Sequence, residues 1–372
     1  LQDIRPSGYR YFDILKKHLG GDLSKIFSGE LVYPRQLEIH LPGNHKRWCN
    51  FNCPYCQGVL VDRAISHYEV VALELLDRLE GKIPYVIFGG TYSEPLLNPY
   101  LMSFLALTKK HGSKFGIHTN GSYLLALEEM QGFLTELCRI AEEGDYLSVS
   151  LDAGSSYTHK RSKRTKKEWF PEIIEGLRKV LEIRGDKSYP LIRVCYLMTD
   201  LTGTEDEIRS VVEVVSDLGC DSLRFSIPYD VYGKDFSVVK EYRDRVEAPL
   251  DAVYRKRLAP FLSKSPQEKP FVFYLPPFHQ DVCRMRFKKC IYGYYQITIG
   301  ADGYVYKCSS TASPTFSMNR LGKVTSDLEE FKRMILANQN PNFSPETCFK
   351  VGARCNRMAL ECNTKYMGLF NE

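Results

Sequence analysis

"WCNFNCPYCQG", Trp48 to Gly58, sets Cys49, Cys53 and Cys56 in the spacing C-x3-C-x2-C. A structural zinc takes four ligands, and disulfides take cysteines in pairs. Three clustered thiols therefore leave a fourth position for something else. Just upstream, "QLEIHL" (36–41) reads as an apolar strand, so the trio begins on the loop that follows that strand's C-terminal end. Parallel α/β architectures bind their ligands at that end.

Five further strands follow: "YVIFGG" (85–90), "FGIHTN" (115–120), "YLSVSLD" (146–152), "LIRVCYLM" (191–198) and "SLRFSIPY" (222–229). The gaps carry helical patterns, such as 68–81 and 204–219. In the latter, Thr204 serves as cap, Glu207 is placed to reciprocate, and Gly219 stops the helix. Strand–helix alternation predicts right-handed crossovers and a parallel sheet. Six units are too few for a closed eight-fold barrel. The expected class is α/β, an open, partial (β/α)6 TIM-like barrel over residues 35–230. Residues 1–34 form a short helical segment before it, and 231–270 a polar helical bridge after it. From 271 to 372 the character changes. "YYQITIGADGYVYKC" (294–308) predicts a β-hairpin, "SDLEEFKRMILANQN" (326–340) a helix, and a cysteine-bearing tail follows.

The composition is that of a soluble globular protein: 372 residues, 44% hydrophobic and 26% charged, with a formal net charge of +5. No apolar run approaches the roughly 18–20 residues of a membrane span. The first residues lack a secretory apolar core, and a cytoplasmic location is expected. The basic run "KRSKRTKK" (160–167) reads as a solvated loop or as an anion-binding flap. Nucleic acid is not expected, because no interleaved aromatics accompany the run. Of the 12 cysteines, Cys138, Cys195 and Cys220 lie in apolar segments and read as buried small hydrophobes. The others fall into two groups, three at 49–56 and six at 283–362, which suggests two metal sites in a reduced compartment. Zinc held by the trio and His45 is one solution. An iron–sulfur cluster with one open iron is another.

The other strand ends bear on this choice. "GGTYSEPLLNP" (89–99), "IHTNGSYL" (117–124) and "VSLDAG" (149–154), together with C-x3-C-x2-C and its Tyr55, resemble the ordered motifs of the radical S-adenosylmethionine (SAM) enzymes over residues 36–230. Thr91, Tyr92 and Ser93 are inserted before Glu94 relative to that family's pattern. The resemblance implies a [4Fe-4S] cluster on Cys49, Cys53 and Cys56, whose open iron binds SAM. One-electron cleavage of SAM then yields a 5′-deoxyadenosyl radical that abstracts a hydrogen atom. Gly89 and Gly90 allow close backbone approach. The resemblance assigns Glu94 to the SAM ammonium, Ser150 to its ribose or carboxylate, and Arg161 or Arg164 to its carboxylate; Asn120 is a further cofactor-side candidate. It also implies an electron donor of flavodoxin or ferredoxin type and oxygen sensitivity.

The second group resembles the opening of SPASM or twitch auxiliary-cluster domains: Cys290, then twelve residues to Gly303, then four to Cys308. This implies at least one auxiliary [4Fe-4S] cluster on Cys290 and Cys308, with Cys283 and one tail cysteine. Cys348, Cys355 and Cys362 are each seven apart. They are further ligands, or a structural stripe along one helix. The expected reaction is a maturase-type modification of a peptide or protein substrate. The 34 residues ahead of the first strand are too few for a leader-recognition domain, which leaves recognition to the barrel mouth or a partner. The alternative is a dehydrogenase, deoxygenase or epimerase acting on a sugar, aminocyclitol or nucleotide-linked metabolite. An epimerase needs a hydrogen donor, and Cys195 is the candidate. A non-catalytic metal-binding scaffold has no use for the strand-end motifs.

Overall fold

The computed structural model describes residues 9–43, 49–56, 67–90, 93–227, 248–275, 289–340, 348, 355 and 357–369. Seven strands pair in parallel in chain order. They are β1 Gln36–Ile39, β2 Tyr85–Phe88, β3 Lys114–Thr119, β4 Tyr146–Ser150, β5 Leu191–Leu197, β6 Ser222–Ser226 and β7 Phe271–Leu275. The helices are α1 Tyr11–His18, α2 Glu69–Leu79, α3 Leu101–Lys110, α4 Leu124–Gln131, α5 Phe133–Ile140, α6 Ser156–Ser162, α7 Phe170–Arg184, α8 Glu205–Leu218 and α9 Ala248–Leu258. The six expected strands are present, and β7 is a seventh. Its sequence, "FVFYL", is a short unbroken apolar run without alternation, which periodicity alone does not assign to a sheet.

The C-terminal hairpin is not set apart from this sheet. β8 Gln296–Ile299 pairs in parallel with the free side of β1, in register Gln36 to Gln296. β9 Tyr304–Tyr306 and β10 Arg320–Lys323 continue it antiparallel. The result is one open ten-stranded sheet running from β10 to β7. Among the described residues beyond the hairpin lie the helices α10 Leu328–Asn338 and α11 Arg357–Gly368.

Side chains alternate across a strand, and here the alternation separates two environments. Leu147, Val149, Ile192, Val194, Leu223 and Phe225 enter the main apolar core with the crossover helices. The residues between them on β4, β5 and β6 are Ser148, Ser150, Arg193, Cys195 and Arg224. The opposite face is thus polar and charged. Part of it is covered by a second apolar cluster in which Tyr9, Tyr11 and Phe12 meet Phe273, Tyr295 and Tyr366, with α1 packed on α11.

One expected local contact is replaced. Thr204 caps α8, its hydroxyl accepting from the Glu207 amide at 3.3 Å, and Gly219 ends the helix at φ +77°. Glu207 does not reach back to Thr204. Its carboxylate accepts from Gly154 N at 2.7 Å, Ser155 Oγ at 2.9 Å and Thr158 Oγ1 at 2.7 Å. Three donors on the loop after β4 outcompete one local amide, and they anchor that loop above the strand ends.

Candidate active site

Cys49, Cys53 and Cys56 lie half-buried on the loop after β1 and face a cavity of about 460 Å³. The cavity sits at the C-terminal ends of the strands, as the position of the trio predicts. Gly90, Glu94, Asn120 and Ser150 line it as well, so four strand-end motifs from distant parts of the chain converge there. His45, the fourth ligand of the zinc alternative, lies outside the described residues. Among the described residues no group of three His, Cys, Asp or Glu side chains forms a site for a single metal ion.

The cysteine loop is tied to β3. Asn120 Nδ2 donates to Asn50 Oδ1 at 2.8 Å and approaches Cys49 Sγ at 3.6 Å. Phe51 N points at the same sulfur at 3.4 Å. Ser122 completes the link, accepting from Asn50 Nδ2 at 2.9 Å and donating to Asn120 Oδ1 at 2.6 Å. These donors suit a thiolate. Burial, with the Glu94 carboxylate nearby, pushes the Cys49 thiol up to about 12, and burial also raises Cys53. Such thiols stay protonated until a cation offsets the thiolate charge.

Glu94 is fully buried. It accepts from Thr119 Oγ1 at 2.5 Å, Asn120 N at 2.7 Å and Leu96 N at 3.1 Å. Burial raises its carboxyl to about 7, against the pull of those three donors. Glu94 therefore joins the turn after β2 to the end of β3 as well as lining the cavity. Gly90 has φ +112°, and a Cβ there would stand 2.1 Å from the His40 ring. Only glycine leaves the backbone this close to its neighbours. Thr91 and Tyr92 of the insertion lie outside the described residues.

The expected arginine is not the cation that reaches the cavity. Arg161 is exposed, and its guanidinium donates to Tyr157 Oη at 2.7 Å; Arg164 is exposed as well. Neither lines the cavity. Lys163 does, from the end of α6, paired with buried Asp152. Burial opposes the Lys163 charge, but Asp152 and the neighbouring Tyr55 hold its pKa above the usual lysine value. Asp152 also accepts from Tyr55 Oη at 3.2 Å and from Leu197 N at 2.7 Å, at φ +53°. The α6 turn aims Lys163 inward and leaves the flanking arginines outside, a distinction invisible in "KRSKRTKK". Two more members of the run are paired outside the cavity, Lys160 with Glu168 at 3.9 Å and Lys167 with Glu172 at 2.6 Å. Cys195 is buried beneath the cavity, 3.1 Å from Ser148 Oγ, and does not line it.

Cys290, Cys308, Cys348 and Cys355 line a second, much smaller cavity of about 30 Å³. Asn363 Nδ2 approaches Cys290 Sγ at 3.6 Å, and Thr311 Oγ1 lies 3.6 Å from Cys308 Sγ. Burial raises Cys290 and lifts Cys308 to about 11. Cys362 is absent from this lining. It sits in the second apolar cluster with Tyr292 and Tyr366. The single-helix stripe does not form, since Cys355 precedes α11 and Cys362 lies within it. Cys283 is outside the described residues.

Residues 44–215 match the Radical SAM superfamily model. That stretch of the chain is a radical SAM domain, a type that holds a [4Fe-4S] cluster and SAM. No curated protein sequence matches the chain significantly. Among solved structures it is similar to SuiB of Streptococcus suis, at 15% identity, covering 96% of this chain and 78% of that one with a TM-score of 0.56. It is also similar to anSMEcpe with bound S-adenosylmethionine, at 17% identity, 91% and 96% coverage and a TM-score of 0.56. For anSMEcpe with S-adenosylmethionine and the Cp18Cys peptide the figures are 16%, 87% and 85%, and 0.53. These likenesses establish the fold. The donors around Cys49, the cradle at Gly90 and the buried thiols fit the cluster and SAM that the family requires.

Proposed function

We propose that this enzyme modifies a peptide or protein by hydrogen-atom abstraction. Cys49, Cys53 and Cys56 hold the [4Fe-4S] cluster, and Gly90, Glu94 and Ser150 surround the SAM site. Bound there, the cluster and SAM would supply one-electron reductive chemistry that generates the oxidant for hydrogen-atom abstraction from the substrate. Asn120 and Phe51 N support the Cys49 thiolate, and the Asp152–Lys163 pair fixes the loop after β4. The observation that carries the reading is the convergence of three thiols and three strand-end motifs on one cavity of about 460 Å³. The peptide class is supported by the fold shared with anSMEcpe, whose structure includes a peptide.

Cys290, Cys308, Cys348 and Cys355 would hold an auxiliary iron–sulfur cluster; the reading is supported by the four thiols lining one small cavity. An electron donor of flavodoxin or ferredoxin type serves the first cluster in a reducing compartment. Among the described residues no helix is long and apolar enough to cross a membrane.

The test is anaerobic. Protein reconstituted with iron and sulfide is reduced with dithionite in the presence of SAM, and 5′-deoxyadenosine is measured. Candidate peptides are then screened for stimulation, with deuterium transfer from labelled peptide into 5′-deoxyadenosine. Release of 5′-deoxyadenosine that depends on Cys53 supports the radical reading. Stimulation and label transfer by a peptide support the substrate class. Iron-replete protein that forms none, with any peptide, would contradict both.

A further inference from the structure

The floor of the cavity carries a cation that the protein leaves unpaired. Arg224 is on β6, on the polar face of the sheet, and lines the cavity below the strand ends. Among the described residues it makes no hydrogen bond or ion pair, and its Nε is buried without a partner. The Tyr9 ring centroid is 6.0 Å from its guanidinium, and Cys195, Tyr11 and the Asp152 carboxylate are its other neighbours. The other charges nearby are already engaged. Asp152 is held by Lys163, and the Glu94 carboxylate accepts from three donors. Glu38 is paired with His40 and Gln296. His118 is driven down to about 4, first by burial and then by Arg224 and Arg193, so it adds no charge near neutral pH. A second cation faces the same space from α11: Arg357, oriented by its bond to Leu275 O at 2.8 Å.

Arg224 is half-buried, and a guanidinium that lines a cavity without an ion-pair partner offers its free donors to an anion that enters. Its planar donor fork matches a carboxylate. We infer that Arg224 receives a carboxylate of the substrate, with Arg357 lining the same cavity, so that the enzyme selects an acidic side chain for the residue entering the cavity. This rests on the peptide reading above and narrows it to peptides that present Asp or Glu. The SAM carboxylate is the competing source of the same chemistry, and the experiment separates the two.

Reconstituted protein loaded with SAM is titrated anaerobically with N-acetyl-glutamate amide and, in parallel, with N-acetyl-glutamine amide, by calorimetry. The same titrations are made on Arg224→Gln and Arg224→Lys, with iron content and thermal stability of each variant as the control for folding. SAM affinity is measured separately. The expected result is binding of the glutamate compound about tenfold tighter than the glutamine compound. That preference is lost in Arg224→Gln, and partly kept in Arg224→Lys. Equal or undetectable binding of the two compounds to the parent protein overturns the inference. So does a preference that survives in Arg224→Gln, or a loss confined to SAM affinity, which gives Arg224 to the SAM carboxylate. Formation of 5′-deoxyadenosine by the parent protein, measured on the same preparation, shows whether the radical reading stands when the carboxylate reading does not.

Discussion

The two thiol groups of this chain differ most in the space they face. Cys49, Cys53 and Cys56 border about 460 Å³ in company with Glu94, Lys163, Asp152 and Arg224, whereas Cys290, Cys308, Cys348 and Cys355 border about 30 Å³. Burial raises thiols in both places. The difference is what else can enter. Three thiols beside an open, charged cavity leave room for a cofactor and a substrate. Four thiols around so small a space leave room for little beyond what they bind. One arrangement suits chemistry, the other structure or electron transfer.

The sharpest way to break this comparison is to remove one thiol from each region. Cys53→Ala is expected to reduce 5′-deoxyadenosine formation by more than about 100-fold, since even outer-shell partners of a metal site are worth roughly 10–100-fold. Cys308→Ala is expected to lower the iron content while substrate-independent SAM cleavage persists. If both variants lose cleavage equally, the division of labour fails. The measurement is 5′-deoxyadenosine per iron-replete first site.

The next effect lies in the buried ion pair on the wall of the first region. Asp152→Asn strands Lys163, whose side chain is 3% exposed beside an aspartate 2% exposed. Loss of one partner of a buried pair costs about 3–5 kcal/mol. Urea unfolding of the metal-free variant checks this. A cost under about 1 kcal/mol would mean that water reaches Lys163.

His118 sharpens the contrast through pH. Its folded pKa is lowered from 6.5 to about 4, and its ring lies 2.9 Å from Tyr146 Oη. The unfolded chain therefore binds a proton first as pH falls. Stability is fully present above about 6.5 and is lost as pH drops toward 4. His118→Gln, neutral throughout, is expected to flatten that slope by on the order of 2–3 kcal/mol at pH 4, at about 1.4 kcal/mol per pH unit. Unfolding midpoints of both proteins across pH 4–7 test it.

The smallest effect is expected from Gly90→Ala. The new methyl group must displace the His40 ring and the backbone must hold φ +112°, for a cost of about 1–3 kcal/mol. A variant as stable as its parent would show that the cradle relaxes freely.

Much of this was legible in the chain. The six strands "QLEIHL" to "SLRFSIPY" announce themselves by apolar runs between helical periods, and every one forms within a few residues of its expected bounds. The trio's position past β1 placed the cavity at the correct end of the sheet. The strand β7 escaped notice because five unbroken apolar residues carry no period. Glu207 was assigned to its own helix cap and serves the loop after β4, since a carboxylate goes to the best donors in space and not to the nearest in sequence. The run "KRSKRTKK" favours its arginines as carboxylate partners, because sequence alone does not show that the last turn of α6 turns Lys163 inward.

The sequence by itself determined the strand–helix alternation, the three-thiol loop and the motifs at the strand ends, because each is written in local spacing and period. Only the tertiary structure brought Cys348 and Cys355, and not Cys362, to the small cavity that Cys290 and Cys308 line. It also joined the hairpin to the free edge of β1. The unpaired charge of Arg224 likewise emerged only there. These depend on long-range packing, where distance along the chain carries no information about distance in space.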